Sequence, residues 1–163
     1  MNRQAIIAQF ELQTSWFLNA LDVISEAESK LPLAENLNRI KWVAGHIADA
    51  RMTILSIVSG EPLNEDYKRY FGKGTSFKSD AGIPTIEQMK TDWITISPQF
   101  ITTLQNLPEE KLRSKPPFQT AIPDETLLGL VAYFAIHESF HIGQLSIHRK
   151  LIGKGTMNMG RQA

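Results

Sequence analysis

The chain has no cysteine among its 163 residues. That excludes disulfides, thiolate metal ligands and a cysteine nucleophile. It also has no surplus of charge, because 17 lysines and arginines balance 17 aspartates and glutamates. A nucleic-acid or anionic-membrane partner therefore lacks its usual electrostatic footprint. No apolar run approaches the roughly 18 residues of a membrane span. The opening stretch MNRQAIIAQFELQTSW has neither the basic start nor the apolar core of a secretory signal. A hydrophobic content of 42% with 21% charged residues is ordinary for a globular chain. The expectation from these absences is a cytoplasmic protein with a single domain over residues 1–163.

Strand signals are missing as well, and four segments carry helical periodicity instead. The first, about 2–30, places Ile6, Phe10, Leu12, Phe17, Leu21 and Ile24 at three- to five-residue steps without a glycine or proline, until Pro32 ends it. The second, about 38–59, carries Ile40, Val43, Ile47, Ile54, Leu55 and Val58, with Asn38 as its cap and Gly60-Glu61-Pro62 as its stop. The third, about 84–107, opens with Thr85 and Gln88 in capping-box spacing. Pro98 inside it predicts a kink or a break. The fourth starts after Pro123, with Asp124 or Thr126 as cap, and ends at Gly153, with Arg149 and Lys150 complementing the helix dipole.

Four such helices predict an all-α fold, an antiparallel four-helix bundle. The connection at about 60–83 is too long for a tight turn, and Tyr67, Tyr70, Phe71 and Phe77 predict that it packs.

Three of the four histidines lie close together, in His137-Glu138-Ser139-Phe140-His141 and at His148. Residues four apart share a helix face, so His137 and His141 can offer imidazole nitrogens to one metal ion. Gln144 and His148 fall near the same stripe. His148 lies two turns beyond His141, roughly 10 Å along the axis, which predicts a solvent-facing or supporting role. His46 sits mid-helix among Val43, Ala44, Ile47 and Ala48, where burial is costly without a partner. A lone histidine there reads as a hydrogen-bonded core residue. A histidine pair on another helix makes a shared metal site the alternative, since bundles build metal centres on facing helices. Asp49, one turn from His46, either orients a ligand or a bound water or is a surface carboxylate pairing with Arg51 or another base.

His137-Glu138-Ser139-Phe140-His141 also fits the H-E-x-x-H pattern of zinc proteases, with Glu138 as general base. Against it, Gln144 and Ile147 stand where the longer pattern needs glycine and histidine, no Asp or Glu follows Glu138, and no strand is available to hold a peptide.

The segments Trp42-Val43-Ala44-Gly45-His46-Ile47-Ala48 and His137-Glu138-Ser139-Phe140-His141-Ile142-Gly143-Gln144-Leu145, with four helices in this order, resemble the DinB/YfiT-like superfamily. The resemblance implies an up-down-down-up bundle, commonly a homodimer, and a nickel or zinc ion on His46, His137 and His141. It departs at Ile142, where family members commonly carry a basic residue. It further implies a small-molecule substrate and, in some relatives, a low-molecular-weight thiol cosubstrate such as bacillithiol or mycothiol, used by a transferase or isomerase. Glu138, Asp49 and Gln144 are then the candidates for supporting or catalytic roles. Two rivals stand beside this reading: a non-catalytic bundle whose metal is structural or adventitious, and a metal-dependent hydrolase with Glu138 as base.

Overall fold

The computed structural model describes residues 2–77 and 82–160, and among them every regular element is helical. Four long helices form the frame: α1 (Arg3–Leu21), α3 (Ile40–Ser59), α5 (Ile86–Asn106) and α7 (Leu127–Leu151). Three short ones lie between them: α2 (Glu26–Ser29), α4 (Glu65–Phe71) and α6 (Glu109–Leu112).

The ends of these helices follow from side-chain chemistry. The Asn2 side chain accepts from the amides of Gln4 and Ala5 to start α1. The first segment is not one helix to residue 30, because the chain turns at Val23 (φ 58°) and restarts at a Ser25–Glu28 capping box. Arg39 rather than Asn38 precedes α3, without a side-chain cap, and Gly60 in the left-handed region closes it. Thr85 accepts from the Gln88 amide, but the Gln88 side chain turns to Asp92 at 2.8 Å, so only half of the capping box forms. Pro98 does not divide α5, which runs unbroken through it. The carbonyl that loses its donor belongs to exposed Ile94, within reach of solvent. Thr126 caps α7 through the Gly129 amide.

Each long helix packs on two others, α1 on α5 and α7, and α3 on α5 and α7. Side-chain pairs fix the directions. Gln13 reaches Ala135 and Ser139, and Arg149 reaches the carbonyls of Asn19 and Asp22, so α1 and α7 run parallel. Phe10 meets Phe100 while Trp93 donates to the Thr14 carbonyl, so α1 and α5 are antiparallel. The result is an up-down-down-up bundle with α3 and α5 parallel neighbours. This topology explains the long connection. At 20 residues α3 is about 30 Å long, and the chain must travel back along it before α5 can begin. On the way α4 packs against α3, as the aromatic content of this stretch predicted. The connection's residues 78–81 lie outside the described residues, as do 161–163 of the tail.

The core has two parts. Phe17, Trp42, Phe71, Trp93, Ile142 and Leu145 belong to one, and Phe10, Ile54, Phe100, Leu104, Leu130 and Val131 to the other. At their junction Arg51 lies against Trp93 on one side and Phe10 and Phe100 on the other. No helix among the described residues is long and apolar enough to cross a membrane.

Candidate metal centre

Antiparallel packing of α3 on α7 places His46 opposite the pair His137 and His141. The ring centroids of His46 lie 5.0 Å from His137 and 4.7 Å from His141, and those of His137 and His141 are 4.4 Å apart. One ligand nitrogen from each ring falls within 4.8 Å of the others. Among the described residues this is the group of histidines and carboxylates that converges closely enough to hold an ion.

Each ring is oriented by its surroundings. His46 Nδ1 donates to the Phe71 carbonyl at 2.6 Å, which leaves Nε2 as a lone-pair donor. The Trp42 ring stacks on the His46 ring at 4.7 Å and 14°, and Trp42 is held in turn by a 3.1 Å bond from Nε1 to Thr75 Oγ1. His141 Nδ1 donates to Gln144 Oε1 at 2.7 Å, which also frees Nε2. Ligand imidazoles are commonly held by such a bond through the second nitrogen. His137 differs, because its Nδ1 is buried with no hydrogen-bond partner.

The fit to a metal is testable on one distance. His46 Nε2 and His137 Nε2 are 3.2 Å apart. Two imidazole nitrogens at zinc–nitrogen lengths of about 2.05 Å, with a tetrahedral angle between them, would be separated by about 3.3 Å. The protonation state fits as well. Burial lowers the pKa of all three histidines, and His137 falls to about 4 with further help from the charges of His141 and His46. At neutral pH the rings are therefore uncharged, the form that binds metal.

Glycine at position 45 is what lets α4 come close enough. A Cβ there would overlap the Phe71 ring, which is fully buried against α3. Gly45 thus places the Phe71 carbonyl on His46.

Beside the histidines lies a cavity of about 720 Å³, lined by His46, Asp49, Tyr133, Phe134 and His137 among others. Asp49 is 6% exposed, and burial pushes its pKa up to about 6. It is not a surface carboxylate and does not pair with Arg51, whose guanidinium is taken up elsewhere.

That partner is Glu138. The two form a bidentate pair, Nε to Oε1 at 2.7 Å and Nη2 to Oε2 at 2.6 Å, and both side chains are fully buried. Glu138 follows His137 in sequence, so the helix turns it about 100° away, toward the bundle axis rather than toward the metal face. The expectation that it serves as base or supporting group at the site meets this geometry: both carboxylate oxygens are held by Arg51. Of the two roles expected of His148, the solvent-facing one is corrected, since at 4% exposure the residue is buried; it stands outside the converging group. Ile142 is 2% exposed and packs in the core. Of the three supporting candidates, Gln144 touches a site histidine and Asp49 lines the adjoining cavity. Sequence reasoning missed the Phe71 carbonyl and the Trp42 stack. A backbone acceptor leaves no mark in a residue pattern, and the only available signal was the aromatic content of the connection.

The family model of the DinB superfamily matches residues 9–145. Among solved structures, the chain is similar to a conserved protein from Enterococcus faecalis, with a TM-score of 0.70 and 14% identity over 91% of this chain and 95% of that one. At that identity the likeness concerns the fold. No curated protein matches the chain.

Proposed function

The chain belongs to the DinB superfamily, and from that premise we propose that His46, His137 and His141 hold one divalent ion, nickel or zinc, in a thiol-dependent transferase. The observation that carries the reading is the 3.2 Å approach of two ring nitrogens, one of them left as a bare acceptor by its Phe71 bond. A cation between them satisfies both. A divalent ion held by neutral imidazoles keeps its charge uncompensated and would favour the thiolate form of a thiol that reaches it. The chain's own residues supply the rest. Phe71, Trp42 and Gln144 fix the rings, and the cavity gives a small molecule access to His46 and His137. The absence of cysteine from the chain fits a thiol that arrives as a low-molecular-weight cosubstrate.

Two features set this reading above its rivals. Closed structural zinc sites have four protein ligands, whereas sites that work on substrates keep one position open. Here three histidines converge and a cavity adjoins them. The hydrolase reading needs Glu138 as base, and both its carboxylate oxygens are occupied by Arg51.

We also propose a homodimer through the outer face of α7. Ile136, Phe140, Ile147 and Leu151 are each 58–63% exposed and recur along one stripe. The exposed positions from Ile136 to Ile147 carry no charge, so a second copy meeting this face across a two-fold axis brings no like charges together.

Elemental analysis of the purified protein tests the metal reading, with folded His46→Ala and His141→Ala variants as controls. The expected result is about one equivalent of zinc or nickel, lost in both variants. No metal in the wild type after incubation with either ion overturns it. With metal established, loss of free thiol in the presence of a small electrophile tests the transferase, and no acceleration over the metal-free protein removes it.

A further inference from the structure

The cavity beside His46 has a charge layout that metal binding does not explain. Asp49 lies one helical turn beyond His46, lines the cavity, and has an Oδ1 that accepts no hydrogen bond from a described residue. The charges that act on it, Lys68 and Glu65, oppose each other. A buried carboxylate without a donor is costly. Proteins retain such groups where a bound molecule brings the missing donor. At pH 7.5 the group is ionised, since burial raises its pKa only to about 6.

At the mouth the sign reverses. Lys68 and Lys73 line the same cavity and are exposed, and Glu65 holds Lys68 only at 3.9 Å. The same cavity also has apolar lining from Ile57, Leu63, Phe118 and Phe134. We infer that this cavity takes a small zwitterion of the amino-acid type, its ammonium on Asp49, its carboxylate toward Lys68 and Lys73, and its apolar side chain on Phe118 and Phe134. A plain cation would meet two lysines, and a plain anion would leave Asp49 without a donor. A molecule with both signs finds a partner for each, which is how charge layout sets specificity. The volume of about 720 Å³ suits a small ligand of this kind. The inference deepens the metal reading and depends on it only in making the bound molecule the substrate.

The test is calorimetric titration of the zinc-incubated full-length protein at pH 7.5 with three probes: L-phenylalanine, 2-phenylethylamine and 3-phenylpropionate. The wild type is expected to bind L-phenylalanine at least tenfold tighter than either single-charge analogue. Asp49→Asn, nearly the same shape, should lose at least tenfold toward L-phenylalanine and nothing toward 3-phenylpropionate. Lys68→Ala with Lys73→Ala should weaken L-phenylalanine and 3-phenylpropionate but not the amine. Equal binding of all three probes, no binding of L-phenylalanine, or unchanged affinity in Asp49→Asn overturns the inference. Zinc content measured on the same samples separates the two readings. Discrimination without zinc removes the metal site and leaves the zwitterion site, and zinc without discrimination does the reverse.

Discussion

Gly45→Ala is the sharpest probe of how the fold builds the site, because one methyl group should damage stability and metal binding together. The added Cβ would overlap three atoms of the Phe71 ring. Carbon atoms in contact sit about 3.5–4.0 Å apart, so the ring must retreat by roughly an ångström or more. Phe71 is fully buried and packs with Tyr67 and Tyr70 on the same short helix, so it cannot retreat alone. Overpacking of this kind costs about 1–3 kcal/mol. Moving α4 also draws the Phe71 carbonyl away from His46 Nδ1, a bond now 2.6 Å long. Loss of a bond that orients a ligand imidazole typically weakens metal affinity about 10- to 100-fold. Chemical denaturation of the metal-free protein reads the first effect, and chelator competition for zinc reads the second. The control is the double variant Gly45→Ala with Phe71→Leu. Its smaller side chain makes room for the methyl, so the double change should cost less than the sum of the singles by about 1 kcal/mol. A Gly45→Ala protein with unchanged stability and zinc affinity would refute the reasoning. Additive single changes would refute the proposed contact.

Other consequences follow from the same geometry. Glu138→Gln strands the Arg51 charge in a fully buried setting and is expected to cost about 3–5 kcal/mol in denaturant titration, while a variant that stays folded keeps its zinc. His137 binds its proton less readily in the folded chain, with a pKa of about 4 against an ordinary 6.5. At this residue the unfolded chain therefore takes up its proton first, and in an Asp49→Asn background, which removes the opposing shift of that carboxyl, metal-free stability should fall as pH drops from about 6.5 to 4. His137 alone contributes at most about 3 kcal/mol, with His46 and His141 acting in the same direction and Asp49, raised to about 6, in the opposite one; with Asp49 removed, a flat profile across that window would contradict the burial of the three rings. Phe140→Glu places a charge on the α7 stripe and should yield a monomer in sedimentation equilibrium, against a dimer for the wild type.

Much of this was legible in the residues. Helix periodicity needs only local spacing, so the four long helices and the length of the second connection could be read directly. The i, i+4 spacing of His137 and His141 fixed their shared face for the same reason. The boundaries at Val23 and through Pro98 were not legible. One depends on a residue adopting a left-handed conformation, and the other on whether an exposed carbonyl can be left to water.

What the sequence by itself determined was the set of possible ligands: a chain without cysteine and with four histidines can offer a metal imidazoles and carboxylates but no thiolate. What only the tertiary structure decided was how neighbours in sequence divide their tasks. His137 and Glu138 are adjacent, yet one turns toward His46 and the other into the core to meet Arg51. Asp49 and Arg51 could have paired on a surface, but the packing of α3 sends Arg51 to the bundle axis and Asp49 to the cavity. The helix sets each direction by about 100° per residue, but which direction holds a metal, a salt bridge or an empty cavity depends on the helix packed opposite.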